Sequence, residues 1–181
     1  RLLARSDNFG YAGALRTGFK NSKKDLIFYT DGDRQFDIKE LDLLLPLIEK
    51  YAIVTGYKIK RHDPLMRIWT SKIYNWTMRL VFGLKVKDVN CAFKLYRREV
   101  IDKVDFTPTL TQGVINVEVY LTALKNGCTI GEVPVHHFDR EKGVAGSEFG
   151  KRGKIIAFVK PRIIWGFIKD SWAVWKKFRS K

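Results

Sequence analysis

Asp25-Leu-Ile-Phe-Tyr-Thr-Asp-Gly-Asp-Arg-Gln-Phe36 is the stretch on which the reading of the chain turns. The apolar run Leu26 to Tyr29 leads into Asp31 and Asp33, separated by one glycine, with the amide of Gln35 two residues further on. A short apolar run bounded by turn formers predicts a buried parallel strand, and the carboxyl end of such a strand is where open α/β sheets place ligands. Two carboxylates at that end offer hard oxygen donors to Mg²⁺ or Mn²⁺. Such ions share their coordination with substrate phosphates, so a nucleotide diphosphate is the natural partner. The same Asp-Gly-Asp also describes an Asx-rich turn capping the next helix. Spacing alone leaves both readings open, and the neighbouring segments have to decide.

Downstream, Asp37 with Glu40 predicts a capping-box-like start to a helix over Ile38 to Lys50, bent or shortened by Pro46. Ala52 to Gly56 predicts a second short buried strand, completing a strand-helix-strand unit with a right-handed crossover. Upstream, Asp7 to Asn21 reads as a glycine-rich loop entering a short helix, where Gly10 and Gly13 would let a helix N-terminus approach a phosphate or sugar. The spacing is that of neither a P-loop nor a dinucleotide fingerprint. From Tyr57 onward Lys58, Lys60, Arg61, His62 and Arg67 arrive in quick succession, as a flexible basic loop or as a phosphate clamp beside the first strand. Met66 to Phe82 predicts a helix ended by Gly83.

Leu84 to Arg98 alternates apolar and polar residues on either side of Asp88 and Asn90, predicting strand, turn, strand. Asp88 either caps the turn or serves as a base or sugar-hydroxyl acceptor. Thr111 to Asn126 predicts a helix, and its Glu118 needs a partner if it faces the sheet. Cys128 to Val135 reads as a further strand, with Pro134 indicating an edge. His136 and His137 read as surface residues rather than metal ligands, and the glycine-containing loop that follows is suited to closing over a ligand.

At 181 residues and 45% hydrophobic content the chain predicts one globular domain. A formal charge of +15 implies an anionic partner: nucleic acid, acidic membrane or phosphorylated substrate. Cys91 and Cys128 lie far apart without metal-ligand spacing, which predicts free thiols in a reducing setting. The tail, residues 151–181, interleaves tryptophan, phenylalanine and isoleucine with lysine and arginine, and no stretch reaches the roughly 20 uncharged apolar residues of a spanning helix. That pattern fits an interfacial helix on an anionic membrane, or one packed against the domain.

In this order the segments resemble the family 2 glycosyltransferases, most closely the dolichyl-phosphate mannose synthase-like, polyprenyl-phosphate branch. The resemblance rests on Asn8 to Phe19, Asp31-Gly-Asp-Arg-Gln35, Thr55-Gly-Tyr-Lys58, Arg67 with Ser71 and Asn75, Asp88 to Arg98, and Gly131 to Val135. It implies a GT-A-type, Rossmann-like, mostly parallel α/β sheet flanked by helices. Residues 1–150 would form the catalytic domain and residues 151–181 an amphipathic helical tail. It implies an enzyme, an inverting transferase moving a hexose from a UDP- or GDP-sugar to a polyprenyl phosphate at the cytoplasmic membrane face. By resemblance Asp31, Asp33 and Gln35 hold Mg²⁺ or Mn²⁺, and Asp31 and Asp33 with Gly10 and Gly13 bind the donor. Lys58, Arg67, Ser71 and Arg140 surround the acceptor phosphate, and Asp88 and Asp33 are the catalytic candidates. Lys58 stands where the family usually has arginine, losing a bidentate fork. The family's opening Asn-Glu strand and its Asp-Asp-Gly-Ser turn are absent, which predicts a form lacking the first β-α-β portion. The competing readings are transfer to a sugar hydroxyl, with Asp88 as base, and a nonenzymatic nucleic-acid-binding module, which would leave Asp31, Asp33 and Gln35 unexplained.

Overall fold

The computed structural model describes residues 10–59, 65–110, 113–138 and 161–179. Its sheet is built from β1 (Leu26–Thr30), β2 (Ile53–Ile59), β3 (Phe93–Arg97) and β4 (Ile130–His136), in the spatial order β1-β3-β2-β4. β3 runs antiparallel to both neighbours, with Leu95 opposite Phe28 on one side and Val54 on the other. β4 is parallel to β2, in a register from Ile53↔Ile130 to Ile59↔His136. Consequently β1, β2 and β4 all point the same way, and one reversed strand sits among them. Their carboxyl ends share one edge of the sheet, where ligands of α/β folds bind.

Successive side chains of a strand face opposite sides, so a central strand with both faces covered must be apolar in both phases. On one face Val54, Phe93, Leu95, Val133 and Val135 pack with Leu44 and Ile48 of the segment between β1 and β2. On the other, Ile27, Ile53 and Tyr96 pack with α1 (Gly10–Asn21), α3 (Leu65–Phe82), α5 (Val114–Lys125) and α6 (Pro161–Arg179). The glycine of β2 is required by close approach: a Cβ on Gly56 would lie 2.6 Å from Val135 Cγ2.

Three local expectations are corrected. The helix over Ile38 to Lys50 is broken into a 3₁₀ turn (Ile38–Glu40), the short α2 (Leu41–Leu44) and a second 3₁₀ segment (Leu45–Glu49), because Pro46 lacks the amide hydrogen that continues an α-helix. Asp37 caps it, accepting from the Lys39 amide at 3.0 Å, but Glu40 closes no capping box. Its carboxylate instead accepts from the His136 amide at 2.9 Å and meets His136 Nδ1 at 2.5 Å. The first arm of the strand pair over Leu84 to Arg98 is not a strand. Side chains claim its backbone: the Lys87 amide donates to Glu132 Oε1 at 2.6 Å and the Val89 amide to Asn75 Oδ1 at 2.9 Å, local competition that displaces a ladder. His137 is buried rather than on the surface, with its ring 5.1 Å from Phe36 in an edge-on contact. Pro134 is exposed on β4, the outer strand on its side of the sheet, as expected for a residue with no amide to donate.

Candidate active site

β1 delivers Asp31 and Asp33 to the edge where the co-directed strands end. The turn is tight: Asp33 Oδ1 accepts from the Gln35 amide at 3.3 Å, and Arg34 adopts φ 59°, the left-handed region that an arginine seldom occupies. Gln35 is buried, and it ties this turn to the end of β4. Its Nε2 donates to the Phe138 carbonyl at 3.0 Å, and its own carbonyl accepts from the Phe138 amide at 2.9 Å.

Lys58, near the end of β2, forms a 3.1 Å ion pair with Asp88, both side chains largely shielded from water. Asp88 opens the turn that leads into β3, with its carbonyl accepting from the Cys91 amide. Lys94 sits between the two carboxylate centres. It projects from the middle of β3, is fully buried, and donates to the Cys91 carbonyl, with the rings of Tyr29 and Tyr120 about it at 6.0 and 5.9 Å. Burial pushes its pKa down to about 8, while the negative charges of Asp88 and Asp31 act in the opposite sense. The carboxyl of Asp31 is raised above the usual range, first by loss of water and then by the like charge of Asp33, against the hydrogen bond from Tyr29 and the charges of Lys94 and Lys58. Cys91, fully buried, has its thiol pushed up to about 12 by burial, so it remains protonated and is no nucleophile.

Of the residues expected at the site, the structure therefore joins Asp31, Asp33, Lys58 and Asp88 into one electrostatic cluster. Gly10 begins α1 with φ 66°, and Gly13 lies buried in the first turns of that helix. Ser71 is half-buried on α3. The side chain of Arg67 and the whole of Arg140 lie outside the described residues.

A divalent ion suits this donor set. Among the described residues no group of three His, Cys, Asp or Glu side chains converges on a metal centre. Asp31 and Asp33, whose mutual repulsion already raises the Asp31 carboxyl, are the residues that could hold such an ion, which usually completes its shell with substrate phosphate.

A sequence profile for glycosyl transferase family 2 matches residues 1–105. The chain belongs to this family. The chain is 27% identical over 148 residues to the dodecaprenyl-phosphate galacturonate synthase of Rhizobium johnstonii, covering 80% of this chain and 43% of that one. It is 28% identical over 144 residues to the polyprenol monophosphomannose synthase of Mycolicibacterium smegmatis, covering 75% and 52%. Against the dolichyl-phosphate beta-glucosyltransferase of Saccharomyces cerevisiae identity is 25% over 193 residues, covering 94% and 58%. The chain thus spans about half the length of the curated relatives it matches. The fold is that of the glucosyl-3-phosphoglycerate synthase of Mycobacterium tuberculosis, solved with Mn²⁺ and UDP-glucose, with a TM-score of 0.56 at 11% identity over 80% of this chain and 50% of that one.

Sequence reasoning missed Lys94 and the tyrosines around Asp31. A lysine between Phe93 and Leu95 reads as the wet phase of a strand, yet Tyr96 shares its phase and belongs to the core. That shared phase was the available signal.

The buried lysine gives the protein a specific pH dependence. Its folded pKa, about 8, lies below the ordinary 10.5, so between these values the unfolded chain holds the proton and the folded chain has released it. Stability from this group rises with pH across that window. Lys94→Met is expected to remove a rise of up to about 3 kcal/mol between about pH 7 and pH 10. Urea unfolding of both proteins at the two pH values measures it, and equal pH dependence would contradict the assignment.

Proposed function

We propose that the chain carries the catalytic site of an inverting glycosyltransferase that moves a hexose from a nucleotide diphosphate sugar to a polyprenyl phosphate. The observation that carries this reading is the cluster of Asp31, Asp33, Lys58, Asp88 and Lys94 at the shared carboxyl edge of the sheet. Asp31 and Asp33, with Gln35 bracing their turn, would hold Mg²⁺ or Mn²⁺. The ion supplies charge neutralisation of the departing diphosphate. Lys58 and Ser71, with Arg67 and Arg140, would orient an acceptor phosphate. A lipid phosphate is mostly ionised near neutrality, its second pKa being about 6, so its oxygen attacks without a strong base. Asp88 Oδ2 is already committed to Lys58, an arrangement that suits fixing a phosphate-binding lysine better than taking a proton from a sugar hydroxyl. The three relatives above, whose names carry dodecaprenyl phosphate, polyprenol monophosphomannose and dolichyl phosphate, support this acceptor class.

Peripheral attachment to the cytoplasmic membrane face is part of the proposal. None of the helices among the described residues is long and apolar enough to cross a bilayer. α3 exposes Trp69, Ile73, Trp76 and Leu80, and α6 exposes Trp165, Ile168 and Trp172, with Lys72 over the Trp69 ring and Arg179 over that of Trp175. The two helices meet at Tyr74 and Phe167 and enclose an apolar groove of about 390 Å³. Tryptophan and aliphatic side chains beside lysine and arginine match the boundary of an anionic bilayer. Residues 1–150 would then be the catalytic domain and 151–181 its membrane-facing tail.

Calorimetric titration of Mn²⁺ with UDP-glucose and with GDP-mannose tests the donor side. Metal-dependent binding of one of them is the expected result and identifies the nucleotide. Binding of neither would remove the donor assignment.

A further inference from the structure

The hydroxyl of Tyr29 lies 2.9 Å from Asp31 Oδ1 and 2.8 Å from the hydroxyl of Tyr11. The Tyr11 hydroxyl is in turn 3.3 Å from Asn116 Nδ2, and the same Nδ2 is 3.0 Å from Asn90 Oδ1. A phenol has one proton and an ionised carboxylate only accepts. Tyr29 therefore donates to Asp31, Tyr11 must donate to Tyr29, and the Asn116 amide donates both to Tyr11 and to Asn90. From Asn116 through Tyr11 and Tyr29 each donor points toward Asp31, while the other N–H of Asn116 points to Asn90, and the members come from β1, α1, α5 and the turn after Asp88. Asn116 is buried, and the rings of Tyr11 and Tyr29 meet edge-on at 6.4 Å, so the partners are held by packing as well as by hydrogen bonds. Hydrogen bonds in such a series polarise one another.

We propose that Tyr29 is a positioning residue for the cation-binding carboxylate: the ordered series Asn116, Tyr11, Tyr29 fixes one oxygen of Asp31 so that the carboxylate meets a divalent ion in a single orientation, and Asn116 ties that orientation to the turn bearing Asp88. This rests on the reading of Asp31 as a ligand to the ion. Two consequences separate it from mere satisfaction of buried polar atoms. The series links the donor-side carboxylate by hydrogen bonds to Asn90, two residues along the chain from the Asp88 that pairs with Lys58. It also predicts graded effects, largest at the residue that touches Asp31.

Outer partners of metal ligands change affinity by roughly 10- to 100-fold when removed. Tyr29→Phe keeps the ring and is expected to weaken Mn²⁺ binding in the presence of UDP by roughly tenfold or more, at an unchanged melting temperature. Tyr11→Phe is expected to weaken it less, because Tyr29 still donates to Asp31. Calorimetric titration of Mn²⁺ into wild type and both variants, each with UDP at one fixed concentration, reads this. Wild-type binding with equal affinity in Tyr29→Phe would overturn the positioning role and leave the ion site standing. Absence of Mn²⁺ binding in wild type would overturn the ion site and the positioning role with it. If Tyr29→Phe does not fold, Tyr11→Phe decides: a weaker affinity supports the series, and wild-type affinity overturns it.

Discussion

Asp31→Ala is expected to lower Mn²⁺-dependent binding of the nucleotide sugar by roughly a thousandfold, the loss of several kcal/mol of charge stabilisation. Asp31 and Asp33 are the carboxylates proposed to face the ion, and removing one leaves a single acid at the turn to balance its charge. The same change should leave the fold intact. Asp31 is a residue whose charged form the folded state disfavours, through loss of water and the nearness of Asp33, so its removal relieves a cost rather than breaking a support. Calorimetry and a thermal melt on the same sample separate the two effects. Lost binding with an unchanged melt is the expected pair of results, and wild-type affinity in the variant would refute the ion site.

The second large effect lies where the C-terminal helix meets the domain. Glu118, fully buried on α5, accepts from the Thr107 amide at 3.0 and 3.2 Å, from its hydroxyl at 2.5 Å, and from Lys177 of α6 at 3.1 Å. Lys177 also pairs with Asp105 at 3.2 Å. Lys177→Met would leave a buried carboxylate without its cation, and breaking such a pair costs about 3 kcal/mol, near the lower end of the range because the Thr107 donors remain. Replacing both partners, Glu118→Gln with Lys177→Met, removes both charges while keeping an amide oxygen for the Thr107 donors, and should restore part of that loss. Denaturant unfolding of the single and double variants checks the sign and the recovery. A single variant within about 0.5 kcal/mol of wild type would show that α6 is not anchored through this pair.

The physical reason for that anchor also explains what was legible in the chain. Glu118 at the centre of an apolar helix poses a question that the sequence leaves open, because facing the sheet or facing water depends on which side of α5 the rest of the fold covers. Asp31-Gly-Asp33 was readable because its signal is local: an apolar run, a turn and two acids within a few residues. The strands at Leu26, Ile53, Phe93 and Ile130 were readable for the same reason. The reversal of β3 was not, since its direction is decided by pairing with β1 and β2, distant in sequence. The failed first arm of the strand pair over Leu84 to Arg98 has a similar cause. Its alternation is correct for a strand, but Asn75 and Glu132, from other elements, take the amides a ladder would need. Lys94 and the series from Asn116 to Asp31 escaped notice because each member looks ordinary alone. A tyrosine or a lysine in such segments carries no local mark of a site, and only the fold shows them gathered near one carboxylate. The tail was legible as amphipathic, and α6 has one face packed and one exposed: Val174 is buried in the core and Lys177 reaches Glu118 of α5, while Trp165 and Trp172 stand exposed.

The most direct test of the central claim is transfer itself. The protein is incubated with Mn²⁺, a nucleotide diphosphate sugar labelled in the hexose, and vesicles of anionic lipid containing either undecaprenyl phosphate or undecaprenol, and label is counted in the organic extract. The account predicts labelled lipid only with the phosphate, and none in Asp31→Ala. Label appearing equally with undecaprenol, or only on a soluble sugar hydroxyl, would contradict it.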